Sequence, residues 1–272
     1  MNDDVFNLAN HVYVVTGGLG QLGHQFATAL AARGAKVAVL DLTNDNSAIQ
    51  KRYGMDWNRD SFEFINCDVT SRKSLEAALS LIEKRWGTPY GLINNAALDS
   101  PPDSPPGENG PFESYPEESW DRVMSVNVKG TVLACQVFGG AMAAAGHGTI
   151  VNISSIYGMV SPDQSLYQYR RDRGETFYKP VAYSASKSAI FNLTRYLAVY
   201  WGAKGIRVNT VTFAGVSNNQ DPSFLKNYIP KVPLGRMADP TDYNGAIIFL
   251  MSDASSYMTG SNLVIDGGFT AT

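Results

Sequence analysis

Along nearly the whole chain, short apolar runs alternate with longer segments whose apolar residues recur at i, i+3 and i+4. That rhythm is the pattern of repeated βα units, and it restricts the fold to a parallel sheet covered by helices. The spacing predicts strands over 11–16, 36–40, 62–68, 91–94, 148–154, 206–212 and 262–265, and helices over 20–33, 74–85, 120–144, 183–201 and 241–251. Seven strands suit one open, doubly wound sheet with helices on both faces. A length of 272 residues allows one large α/β domain or two small ones. No linker or internal repeat divides the chain, so a single domain over 1–272 is expected. Two stretches break the rhythm: 99–118, with Pro101, Pro102, Pro105, Pro106 and Pro111, and the insert 156–182, rich in Tyr, Gln and Arg. The first reads as an irregular loop and the second as an active-site insert between a strand and a helix, and loops that long inside compact domains are usually functional or disordered.

Composition removes several classes of function. With 22 Lys+Arg against 25 Asp+Glu the formal charge is −3, which supplies no basic field for nucleic acid or anionic lipid. Cys67 and Cys135, the two cysteines, are far apart among apolar or small residues, so reduced core thiols are expected and no metal site. The first ten residues lack the basic flank and apolar stretch of a signal peptide, and no apolar run approaches the ~18 residues of a membrane span. A soluble, cytoplasmic protein without membrane or nucleic-acid partners is the expectation.

The first predicted strand runs into Thr16-Gly17-Gly18-Leu19-Gly20-Gln21-Leu22-Gly23, and a helix begins at once. Glycines there let the backbone turn tightly and approach a pyrophosphate, with the helix N-terminus supplying partial positive charge. The purely structural alternative is a glycine-rich turn with no ligand. Asp41 ends the second strand, near the spacing expected of a carboxylate that bonds the adenosine ribose hydroxyls. A carboxylate there repels a 2′-phosphate, so NAD is the expected cofactor. Asp41 as a simple turn cap is the alternative.

In Tyr183-Ser184-Ala185-Ser186-Lys187 the tyrosine and lysine are i and i+4 on one helix face. An ammonium beside a phenol favours the phenolate and makes the tyrosine a usable proton donor and acceptor. The spacing alone means little, because Tyr200 and Lys204 share it on the same predicted helix. Company separates the two pairs. The strand that ends in Ser154-Ser155 precedes the Tyr183 helix, the strand before Asn94-Asn95-Ala96-Ala97 ends at the same rim, and Asn127 interrupts an apolar helix where its propensity is poor.

Together these segments resemble the short-chain dehydrogenase/reductase family, in order and over nearly the whole length: Thr16–Gly23, Asp41, Cys67-Asp68-Val69, Asn94–Ala97, Asn127, Asn152–Ser155, Tyr183–Lys187, Ile206–Asn209 and Asp266-Gly267-Gly268. The resemblance implies a Rossmann fold and hydride transfer between nicotinamide and a carbinol or carbonyl carbon. It implies that Tyr183 is the general acid/base, Ser155 bonds the substrate oxygen, Lys187 holds the nicotinamide ribose and tunes the phenol, and Asn127 anchors a relay water. Gly17, Gly20, Gln21 and Leu22 would meet the pyrophosphate and Asp68 and Val69 the adenine, while Asn94, Asn95, Ala96 and Val216 would line the cofactor cleft. Homotetramers or homodimers are implied too, with 257–269 as a possible interface.

The chain departs from the family pattern at three places. Gln21 replaces the usual middle glycine, Phe213-Ala214-Gly215 replaces the Pro-Gly after the sixth strand, and the insert separates Ser155 from Tyr183. That insert resembles a subgroup linked to sugar oxidation and surface-glycan biosynthesis. Its Tyr157, Arg170, Arg171 and Arg173 are candidate contacts to a hydroxyl-rich or anionic substrate. The expected activity is therefore oxidation of a sugar, sugar acid or anionic sugar derivative. The alternatives are a carbonyl reductase for acyl thioesters or steroids, and a catalytically idle dinucleotide sensor.

Overall fold

A computed structural model describes residues 3–55, 57–99 and 107–271. Strands β1 (Val12–Thr16), β2 (Lys36–Asp41), β3 (Phe62–Asn66), β4 (Gly91–Asn94), β5 (Gly148–Ser155), β6 (Ile206–Phe213) and β7 (Asn262–Ile265) form one sheet in the order 3-2-1-4-5-6-7. Every described pairing is parallel. The central strands read as unbroken apolar runs because helices cover both faces: all of β1 and all of β5 are buried. One apolar cluster lies on each side, one around Leu75, Phe138 and Trp201, the other around Phe26, Phe213 and Tyr243.

The helices are α1 (Gln21–Ala31), α2 (Asn46–Tyr53), α3 (Arg72–Trp86), α4 (Glu117–Ala145), α5 (Gln168–Asp172), α6 (Val181–Gly202), α7 (Pro222–Tyr228) and α8 (Asn244–Met251). Local chemistry sets their ends. Asp45 caps α2 by accepting from the amides of Ser47 and Ala48, Ser71 caps α3, and Gly146 stops α4 in the left-handed region at φ 80°. The α4 stretch is long and apolar enough, by length and composition, to cross a bilayer, which corrects the sequence expectation. Here its apolar side is spent on the sheet through Ala134, Cys135, Val137, Phe138 and Met142.

Both long stretches carry local structure. In the insert, 3-10 turns at Ile156–Gly158 and Gln164–Tyr167 lead into α5. Within 99–118 a 3-10 turn forms at Phe112–Ser114, while Pro101, Pro102, Pro105 and Pro106 lie outside the described residues. Cys67 and Cys135 are free and buried, as expected.

What the sheet order contributes to function is its reversal point. Between β1 and β4 the winding changes direction, so the loops leaving their C-terminal ends splay apart and open a crevice.

Candidate active site

The crevice is walled by the glycine loop after β1. Gly17 has φ +64°, and a Cβ added there would lie 2.8 Å from Ala96 Cα. A Cβ on Gly23 would come within 2.3 Å of Gly17 O. The loop is thus folded as tightly as a phosphate cradle requires, with glycine forced by contact at both ends. Asn95 stitches it to β4: Asn95 Nδ2 donates to Thr16 O at 3.0 Å and to Gly17 O at 3.1 Å, and the amides of Asn95 and Ala96 both donate to Thr16 Oγ1 at 3.1 Å. Asn94, expected in the cleft, is instead spent in the core, where its Nδ2 donates to Asn152 Oδ1 at 2.8 Å.

Asp41 reaches the loop from β2. Its Oδ2 accepts the Leu19 amide at 2.9 Å and its Oδ1 the Leu42 amide at 2.8 Å, so it both caps the turn and presents a carboxylate at the rim. Gln21, at the departure from the family pattern, donates from Nε2 to Ser217 O at 2.8 Å and ties the glycine loop to the segment after β6 that holds Val216. Leu22 packs on the core beside it. Asp68 is held locally, accepting the Thr70 amide at 2.8 Å, and Val69 packs where a Cβ on Gly130 would stand 2.9 Å from it.

The four candidate catalytic residues converge across the crevice. Asn127 lies in a π-helical stretch of α4, a distortion that often marks functional positions. Its Oδ1 accepts the Leu98 amide at 2.7 Å and its Nδ2 donates to Leu98 O at 3.0 Å and Ser186 Oγ at 2.9 Å. One side chain therefore ties the exit of β4 to α6. Ser155 ends β5, where its Oγ accepts the Tyr157 amide at 3.2 Å and its hydroxyl favours the ionised Tyr183 phenol. Lys187 is 5% exposed and donates from Nζ to Ile153 O at 2.9 Å, with Nζ 5.8 Å from the Tyr183 ring centroid.

Desolvation governs both titratable partners. Burial pushes the Tyr183 phenol above its ordinary value, Asp99 adds to this, and the Ser155 hydroxyl opposes it. Burial pushes Lys187 down to about 8, against a smaller upward effect of Asp99.

The insert covers this rim. Gly158 packs flat on α6, where a Cβ would meet Lys187 O at 2.8 Å. Tyr157 borders a cleft of about 730 Å³ together with Gln164, Lys179 and Ser184. Each of the three arginines has a protein partner. Arg170 donates from Nε to Glu175 Oε2 at 2.6 Å and stacks on Phe177. Arg171 bonds Phe177 O at 2.8 Å and Gln164 O at 2.7 Å, and Arg173 bonds Asp221 Oδ2 at 2.8 Å. These ties satisfy the polar groups of the insert around its buried Leu166 and Phe177. Lys179 and Asp99, which sequence reasoning passed over, stand beside Tyr183. No motif marks them, and the only signal was a lysine four residues before Tyr183.

A family model described as enoyl-(acyl carrier protein) reductase matches residues 20–270. D-threitol dehydrogenase of Mycolicibacterium smegmatis is 33% identical over 274 residues, covering 97% of this chain and 95% of the relative. The chain belongs to the short-chain dehydrogenase/reductase family. A family member from Leptospira borgpetersenii solved with bound NAD+ superposes with a TM-score of 0.84 at 34% identity, over 97% of this chain and 94% of that one. Gluconate 5-dehydrogenase of Burkholderia cenocepacia, solved with NADP and tartrate, gives 0.83 at 25% identity over 99% and 98%. Membership makes the protein a Rossmann-fold oxidoreductase. Among the described residues no group of three or more His, Cys, Asp or Glu is placed to hold a metal ion.

Proposed function

We propose that this protein is an NAD-dependent dehydrogenase that oxidises a secondary hydroxyl of a neutral polyol or sugar, with Tyr183 taking the hydroxyl proton. The observation that carries the reading is the buried Lys187 ammonium held 5.8 Å from the Tyr183 ring, at the strand rim where β5 ends in Ser155. The glycine loop fits a dinucleotide, because contacts with Ala96, Asn95 and its own backbone admit only glycine at 17 and 23 and keep the turn tight. Gly17, Gly20, Gln21 and Leu22, with the N-terminus of α1, would hold its pyrophosphate. Asp68 and Val69 would hold the adenine, and Asn95, Ala96 and Val216 would flank the nicotinamide side. When bound, the dinucleotide accepts the hydride from the carbinol carbon.

The chain's own residues handle the proton. Tyr183 Oη receives it from the substrate hydroxyl, and Ser155 orients that hydroxyl by a hydrogen bond. Lys187 supplies the positive charge that favours the phenolate. Asn127 has its amide fully bonded to protein, so it acts by fixing Leu98 and Ser186 while its carbonyl, which accepts from Thr131 Oγ1 at 2.8 Å, keeps a second lone pair for a water.

Neutral substrates are favoured because Arg170, Arg171 and Arg173 are committed to protein partners and Lys179 pairs with Asp99. The threitol-oxidising relative supports the same class. NAD is favoured by the rim carboxylate of Asp41. The decisive experiment is NAD reduction over tetritols, hexitols, aldoses and sugar acids, paired with Tyr183→Phe. Neutral polyols are expected to turn over fastest, and Tyr183→Phe is expected to lose about 10³-fold in kcat with dinucleotide binding kept. Turnover confined to acids sinks the substrate class; near-normal turnover of Tyr183→Phe sinks the mechanism. Asp41→Ala should shift the NAD/NADP ratio of kcat/KM toward NADP by about tenfold, and an unchanged ratio removes Asp41 from cofactor choice.

A further inference from the structure

Lys179 precedes Pro180, the residue that opens α6. One side chain clamps its backbone from both directions: the Lys179 amide donates to Gln164 Oε1 at 2.9 Å, and Gln164 Nε2 donates to Lys179 O at 3.1 Å. The lysine side chain is only 8% exposed and pairs with Asp99. Its Nζ lies 4.9 Å from the Tyr183 ring centroid, nearer than Lys187 at 5.8 Å. A lysine this buried has given up rotamer freedom and bulk hydration, which a merely solvating surface charge does not do. Two lysines and one carboxylate thus surround a single phenol.

The carboxylate is the problem that this arrangement solves. Asp99 acts on Tyr183 and on Lys187 at once, and its negative charge opposes formation of a phenolate. Among the described residues, the other groups that face the phenol are Ser155 at the end of β5, Tyr157 in the turn after it, and Lys187 on α6 itself. Of these, only Lys187 carries positive charge, and it stands farther from the ring than Lys179 and is tied to Ile153 O.

We propose that Lys179 is a positioning residue for proton transfer: its ammonium, carried on a backbone that Gln164 clamps and lying over the Tyr183 ring, neutralises Asp99 and keeps that charge from opposing the phenolate. The inference rests on Tyr183 being the proton-transferring phenol. A structural anchor for the insert would need the lysine stem but not its charge.

The test is the pH profile of kcat/KM for NAD reduction with D-threitol, measured for wild type, Lys179→Gln, Lys179→Arg, Asp99→Asn and the double variant Asp99→Asn/Lys179→Gln. Oxidation requires the ionised base, so the profile rises with pH to a plateau. Lys179→Gln should move the rising limb up by about one pH unit, lowering kcat/KM about tenfold at neutral pH and recovering at high pH. Asp99→Asn should move it down, Lys179→Arg should keep the wild-type limb, and the double variant should return toward wild type. A Lys179→Gln loss that is equal at every pH, or a double variant that stays shifted like Lys179→Gln, overturns the proposal. Failure of the functional reading looks different, because Tyr183→Phe would then retain turnover.

Discussion

Lys187 shows at the scale of one residue what a proton-transfer site costs the fold. Its ordinary value of 10.5 is pushed down to about 8 because the folded chain removes the ammonium from water. An unfolded chain therefore binds more protons than the folded one between about pH 8 and 10.5, and stability rises with pH across that window. Below it the full penalty applies, roughly 3 kcal/mol at about 1.4 kcal/mol per unit. Lys187→Met should accordingly stabilise the protein at pH 7 by a few kcal/mol while abolishing turnover, with the gain shrinking toward pH 10. Urea denaturation at the two pH values checks this, and a gain independent of pH contradicts it. The same residue also shows how little spacing reveals. Tyr200 and Lys204 reproduce the geometry, with Nζ 5.7 Å from the ring, yet Tyr200 is 57% exposed. Burial separates the site from its copy, and burial was legible only through the neighbouring strand ends and Asn127.

Among elements, the strand–loop–helix unit of β1 and α1 carries the sharpest steric demand. Gly23→Ala would place a Cβ 2.3 Å from Gly17 O and 2.8 Å from both Gly18 Cα and Asn95 Nδ2, mostly backbone that cannot step aside. Overpacking of that kind costs about 1–3 kcal/mol, and here it acts on the cradle itself. NADH titration of Gly23→Ala should show binding weakened by about ten- to a hundredfold. Gly140→Ala is the control, because it lies in α4 away from the loop and its Cβ meets nothing within 4 Å. Equal binding by both variants would falsify the cradle reading. All seven strands could be read to within two residues: burial on both faces makes a central strand such as β1 a continuous apolar run, and the half-buried edge strands β3 and β7 keep apolar residues enough to show. Three helices were not read. The α2 segment buries only Ile49 and so shows no apolar period, and α5 is too short to show one. Helix α7 did carry a signal in Asp221-Pro222, a cap followed by proline at the first turn.

At the scale of the molecule, the insert and the segment after β6 behave as one appended unit. Leu166, Tyr228, Val232 and Met237 form a small core of their own, separate from the two clusters that flank the sheet. Polar ties run along the same seam: Arg173 to Asp221 at 2.8 Å, Lys231 to Asp163 at 2.8 Å, and the Gly215 amide to Tyr228 Oη at 2.8 Å. The two ion pairs are well exposed and contribute little each, so the apolar contacts set the unit's stability. Tyr157 and Lys179, on the cleft wall, and Val216, beside the glycine loop, all belong to or border this unit. Its cohesion therefore governs substrate binding more than the sheet's stability. Leu166→Ala removes a fully buried side chain from its centre, a change that costs about 2–5 kcal/mol where the cavity cannot collapse. If the unit opens locally, that loss is confined to it. Hydrogen exchange should then show protection falling together in 156–182 and 217–237, with the amides of β1, β4 and β5 unchanged and KM raised more than kcat is lowered. Uniform loss of protection across the sheet would instead mean that the small core is continuous with the main one.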